Sequence, residues 1–72
     1  MLHLQWAYVG RREFRGFLGS ETVAWITELN GFYYSRILGS DKIVAYRAMP
    51  DLRAAKTLVY MVLSRRRKNA EV

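Results

Sequence analysis

Val23-Ala24-Trp25-Ile26-Thr27-Glu28-Leu29 and Phe32-Tyr33-Tyr34-Ser35-Arg36-Ile37-Leu38 are two runs rich in β-branched and aromatic residues, separated by Asn30-Gly31. Such side chains fit a pleated, half-buried surface. Asparagine and glycine both tolerate positive φ, which a type I′ turn demands at its two central positions. The stretch therefore predicts a β-hairpin with Leu29 opposite Phe32, Thr27 opposite Tyr34 and Trp25 opposite Arg36.

Working outward, Gly39-Ser40-Asp41-Lys42 reads as a turn into a third strand, Ile43–Met49. Upstream, Leu2–Val9 and Arg12–Leu18 read as a second hairpin turning at Gly10-Arg11. Glycine, asparagine and proline punctuate these residues at the spacing of short antiparallel strands. After Pro50 neither glycine nor proline occurs, and the period changes. Leu52, Ala55, Leu58, Val59, Val62 and Leu63 form a one-sided stripe with helical spacing. Asp51 can cap this helix from outside, or Pro50 can be its first residue. The expected fold is α+β. It has an antiparallel β-meander of about five strands within residues 2–49, one C-terminal helix over about 51–68 packed on one face, and a basic tail at 65–72, all in a single domain.

Strand parity sorts the side chains onto two faces. One face is expected to hold Phe14, Val23, Trp25, Leu29, Phe32, Tyr34, Arg36, Leu38, Ile43, Arg47 and Met49. The other holds Trp6, Ala24, Ile26, Tyr33, Ser35, Ile37, Val44, Tyr46 and Ala48. Small residues at the centre of the second face let a helix approach closely, so the helix is expected there. Its register predicts Leu52, Ala55, Val59 and Val62 buried, with Arg53, Lys56 and the basic tail in water. The first face then lacks a cover within the chain. It can curl into a small barrel, stack on a second copy, or serve as a binding platform.

The chain has 72 residues, 51% hydrophobic and 14% aromatic, with no cysteine. A core this small seldom supplies more than about 3–5 kcal/mol, and no disulfide can add to it. Self-association, as a homodimer, is therefore expected. No early basic cluster followed by an apolar run marks an export signal, and the longest apolar run, Leu58–Leu63, is too short to span a bilayer. A cytoplasmic location is expected.

Catalysis is not expected. His3 is the only histidine, and the six carboxylates are scattered. Asp41 and Asp51 read as turn and cap residues. There is no phosphate loop, nucleotide fingerprint or metal-ligand spacing, so no cofactor is expected. Twelve Lys/Arg against six Asp/Glu instead give a net charge of +6. Arg11-Arg12, with Arg15 nearby, and Arg65-Arg66-Arg67-Lys68 form two clusters of the kind that neutralise phosphates. Arg36 and Arg47 stand among aromatics, and Trp25 and Tyr34 can stack on bases or lie against sugars. The expected function is a non-enzymatic nucleic-acid-binding module. Phosphate contacts come from Arg11, Arg12, Arg65, Arg66, Arg67 and Lys68, and base or sugar contacts from Trp25, Tyr34, Arg36 and Arg47. The alternative is a protein-binding regulator or inhibitor of the phage or plasmid type, because an exposed Trp, Tyr and Arg face also has the composition of a protein hot spot.

Val23 to Lys68, three antiparallel strands followed by one helix, resembles in layout the plant apetala-type and integrase amino-terminal DNA-binding domains. It carries none of their sequence signatures. The resemblance implies a sheet laid in the major groove with Trp25, Arg36 and Arg47 reaching toward the DNA.

Overall fold

The computed structural model describes residues 2–70, of which 67–70 are described by backbone only. Five strands, β1 (Leu4–Gly10), β2 (Glu13–Leu18), β3 (Glu21–Leu29), β4 (Phe32–Leu38) and β5 (Ile43–Ala45), precede one helix, α1 (Leu52–Ala70). The strands form one antiparallel sheet in the order β1-β2-β3-β4-β5. Among the described residues β1 and β5 do not pair, so the sheet is an open meander with two edges and not a barrel.

Local chemistry accounts for most of this layout. Asn30 (φ 54°) and Gly31 (φ 81°) both lie in the left-handed region, and Leu29 pairs with Phe32. The register across the hairpin, with Thr27 on Tyr34 and Trp25 on Arg36, is the expected one. Asp51 caps α1: its Oδ1 accepts a hydrogen bond from the Ala54 amide at 2.7 Å, which satisfies one of the donors a helix start leaves open. Pro50 lies outside the helix.

The helix rests on the middle of the sheet, against β3 and β4. Ala55, Val59 and Leu63 close over Ala24, Ile26 and Ile37 to form the core. Leu52 and Val62 are half-buried at its margin. Ser35 is wholly buried in this layer, and its Oγ has no hydrogen-bond partner among the described residues. Its small volume, with Ala24 and Ala55, allows the close helix approach. The six-membered ring of Trp6 lies against Gly16, whose opposite neighbours are Trp6 and Ala24.

Three departures from straight register correct the expected faces. Gly16 pairs with Ala24 and Phe17 with Thr22, so Val23 is an extra residue in β3. This bulge flips β2 relative to the central hairpin. Phe14 sits opposite Ile26 on the helix side, and Val23 is itself buried in the core. The second departure lies beyond β5. Tyr46 keeps register with Ser35, but Tyr33 pairs with Met49 and not with Ala48. Met49 therefore joins the helix side, where it packs against the core. The regular part of β5 ends at Ala45, short of the expected strand.

The third departure is in the β1–β2 turn. It is made by Arg11 (φ 52°) and Arg12 (φ 61°), one residue later than expected, and Val9 is an extra residue between the Gly10–Glu13 and Tyr8–Phe14 pairs, which returns Trp6 to the helix side. Left-handed backbone costs a side-chain-bearing residue about 1–2 kcal/mol, so this turn holds two arginines against local preference. Lys56 is also corrected. It is half-buried, with its Nζ 5.9 Å from the Trp6 ring and 6.0 Å from the Phe14 ring. Its long stem lies over the β1–β2 half of the sheet that the helix leaves bare. Arg53 is exposed, as expected.

Candidate binding face

The face away from the helix is open. Its central cross-strand row runs Ala7, Arg15, Trp25, Arg36, Ala45, one residue from each strand. Trp25 thus has an arginine on each flank. The Arg36 guanidinium carbon is 5.9 Å from the Trp25 ring centroid, within the range of a cation–π contact. The next row, Glu13, Thr27 and Tyr34, supplies an acid and an exposed phenol ring. Arg36 Nη2 donates to Glu13 Oε1 at 3.2 Å, and Arg15 Nε lies 3.5 Å from Glu13 Oε2. One carboxylate therefore holds both arginines beside the indole. Each pair is half in water and is worth about 1 kcal/mol or less, so a stronger anion can displace it.

Around this cluster the face is apolar. Leu29 and Phe32 are 54% and 49% exposed, and Ile43 is 49% exposed. Straight strand parity does not put Arg15 and Glu13 on this face. Only the Val23 bulge brings Arg15 opposite Trp25, and a bulge is a property of two paired strands.

The sequence-derived basic residues do not form one patch. Arg11 and Arg12 project at the hairpin tip beside the end of β3, with Arg12 Nε 3.9 Å from Glu28 Oε1. Arg65 and Arg66 lie near the other end of the sheet, because Arg66 reaches Leu38. The strand steps from Tyr33 to Leu38 alone span about 17 Å. Arg65 is exposed. Arg66 is turned inward: Nη1 donates to the Leu38 carbonyl at 2.7 Å and Nη2 to the Tyr46 hydroxyl at 3.3 Å. Its planar fork ties the helix to β4 and to the chain after β5, a use that competes with any phosphate. The side chains of Arg67 and Lys68, and residues 71–72, lie outside the described residues. Arg47 is exposed but is not beside Trp25. It borders a groove with Met49, Arg53, Leu58 and Met61, next to the helix.

No family model, curated protein or solved structure matches this chain. The likeness to the apetala-type and integrase domains is therefore one of layout. The two strands upstream of it belong to the same sheet, and the arginine that flanks Trp25 opposite Arg36 is Arg15, not Arg47. No helix among the described residues is long and apolar enough to cross a membrane.

Arg66→Ala is expected to lower stability by about 1.5 kcal/mol, the scale of hydrogen bonds donated by a charged group. Arg66→Lys is expected to recover little, since an ammonium lacks the fork that reaches both acceptors. Urea titration measures this as a lower midpoint at an unchanged slope. A wild-type midpoint for Arg66→Ala would mean that this side chain is free.

Proposed function

We propose that this chain is a small non-enzymatic module that binds nucleic acid on the open face of its sheet, in the cytoplasm. The observation that carries the reading is Trp25 set between Arg15 and Arg36 on a face the helix leaves uncovered. An indole offers a stacking surface to any base, and two guanidiniums within a strand spacing of it can take the adjoining phosphates. Tyr34, 40% exposed in the next row, extends the platform. A bound phosphate would replace Glu13 as the partner of Arg36 and Arg15. Arg11 and Arg12 at the hairpin tip, and Arg65 at the other end, add charge along the strand direction. That division separates positioning from recognition.

A second reading, a protein-binding regulator, is favoured by one observation. Leu29, Phe32 and Ile43 expose more aliphatic and aromatic surface than a phosphate backbone needs. Anisotropy of fluorescent single-stranded and duplex oligonucleotides, titrated across a range of salt, distinguishes the two. Binding is expected to fall steeply with salt. Trp25→Ala is expected to weaken it by about 1–3 kcal/mol, the value of one stacked base. Arg11→Ala with Arg12→Ala is expected to weaken all sequences alike and to reduce the salt slope by about 1 for each phosphate that is no longer neutralised. Binding that is indifferent to Trp25→Ala and Arg36→Ala would remove the open face from the mechanism. No binding at low salt would sink the nucleic-acid reading and favour the protein partner.

A further inference from the structure

The two edges of the sheet are treated very differently. At one edge β5 is three residues long, and the chain beyond it returns to bond Ser35 and Tyr33 of β4 through Tyr46 and Met49. That edge is short and broken. At the other edge β1 runs Leu4-Gln5-Trp6-Ala7-Tyr8-Val9-Gly10, paired among the described residues with β2 on one side only. It contains no charged residue and no proline. Its one irregularity, between Tyr8 and Gly10, leaves Leu4–Tyr8 in regular register. Folded proteins usually blunt such edges with charge, proline or a covering segment, because unpaired N–H and C=O groups template another strand. In this chain of net charge +6 the other three long strands, β2, β3 and β4, all carry charged residues, and the long strand without any is the one at the edge.

We infer that β1 pairs antiparallel with β1 of a second copy, joining two five-stranded sheets into one of ten strands. The pairing is centred on Trp6. Only that register uses all five regular residues, placing Trp6 against Trp6, Gln5 against Ala7, and Leu4 against Tyr8 of the second copy. A two-fold axis normal to the sheet keeps both helices on one side and both open faces on the other. Three features of the chain fit this occupant. Tyr8, 60% exposed, gains Leu4 of the second copy as a cover. Leu4 and Trp6 also form one wall of a cleft of about 470 Å³ that runs between β1 and the helix residues Leu52, Lys56 and Tyr60, and the second copy's Tyr8 stands at its mouth. On the open side, Gln5 and Ala7 are too small and neutral to obstruct.

Charge placement selects the direction. Antiparallel pairing sends the two Arg11-Arg12 tips to opposite ends of the joint. They are then separated by the paired strands, a distance beyond the screening length of about 8 Å in physiological salt. Parallel pairing would set the four arginines together. The inference does not depend on what the open face binds.

Sedimentation of the purified chain without nucleic acid, from micromolar to millimolar concentration, tests it. The expected result is a species of twice the 8.4 kDa chain mass. Gln5→Lys with Ala7→Lys sets like charges opposite one another in the pair while leaving both side chains in water in the single chain. It is expected to raise the dissociation constant by about a hundredfold or more with an unchanged circular dichroism spectrum. Leu29→Ser with Phe32→Ser, on the open face, is expected to leave the dimer intact. A chain that stays monomeric at millimolar concentration overturns the inference. So does a dimer that survives the lysines and is lost in the serine variant, which would place the contact on the open face. Should the lysine variant fail to fold, hydrogen exchange on the unmodified chain decides. Amides within Leu4–Tyr8 gain protection as concentration rises if β1 pairs, and show no gain if it does not.

Discussion

Val59→Asp is expected to unfold the chain. Val59 is wholly buried where the helix meets the sheet, in one cluster with Ile26, Ile37 and Ala24. Among the described residues this cluster is wholly apolar, the backbone groups of β3 and β4 beneath it are used in the ladder, and the spare side-chain donor in the layer is the neutral Ser35 hydroxyl. An aspartate here must either stay ionised without a compensating charge or take up a proton, and both cost several kcal/mol. A core of this size holds a margin of only a few kcal/mol. Loss of the far-ultraviolet circular dichroism signal at 25 °C is the expected reading. Thr57→Asp is the control. Thr57 is exposed on the same helix, so the change is expected to stay within about 0.5 kcal/mol. A Val59→Asp chain that melts like the unmodified one would show that the helix does not pack on the sheet in this register.

Gly16→Val carries the next largest effect. A Cβ at position 16 would stand 3.0 Å from Cη2 and Cζ3 of Trp6, tighter than most carbon contacts in folded proteins. Valine adds two further methyls to that contact, so the indole must shift from its seat over β2. Overpacking of this kind costs about 1–3 kcal/mol. In a domain of this size each kcal/mol lowers the melting temperature by about 4–8 °C. In a Trp25→Phe background the emission of Trp6 reports the movement directly, as a shift to longer wavelength when the ring enters water. Combining Gly16→Val with Trp6→Leu should restore part of the loss, because the clash and not the strand conformation is the cause. An unshifted melting temperature in Gly16→Val would mean that Trp6 does not rest there.

The two substitutions differ in which level of structure they test. Helical spacing alone puts Val59 in the core, and the structure buries it. Gly16 reads from the sequence only as a weak point in a strand. The reason for a glycine there appears when β1 is laid beside β2 and Trp6 falls on it. The candidate face shows the same division. Trp25, Tyr34 and Arg36 follow from counting outward from one well-marked turn, and they stand together on the open face. Continuing that count through the β4–β5 turn puts Arg47 with them, but the extra residue between Tyr46 and Met49 takes the chain out of that register.

Those elements legible in the sequence rest on local physics. The Asn30-Gly31 turn, the Asp51 cap and the 3.6-residue stripe after Pro50 each involve residues within a few positions of one another, so the preference they express is set by local sequence, even though the stripe is stabilised only when it packs. The meander, the two strands of the central hairpin and the helix on its small-residue face follow from them. What tertiary structure alone decided involves partners far apart in the chain. The Val23 bulge arises only where β2 pairs with β3, next to the Gly16–Ala24 pair, and it moves Phe14 into the core layer and Arg15 onto the open face. Lys56 and Arg66 read as solvated charges when the helix is taken by itself. Their long side chains reach Trp6 and Leu38, neighbours that sequence spacing does not reveal. Arg11 and Arg12 form a left-handed turn that their own preferences oppose, because pairing of β1 with β2 outweighs the local cost.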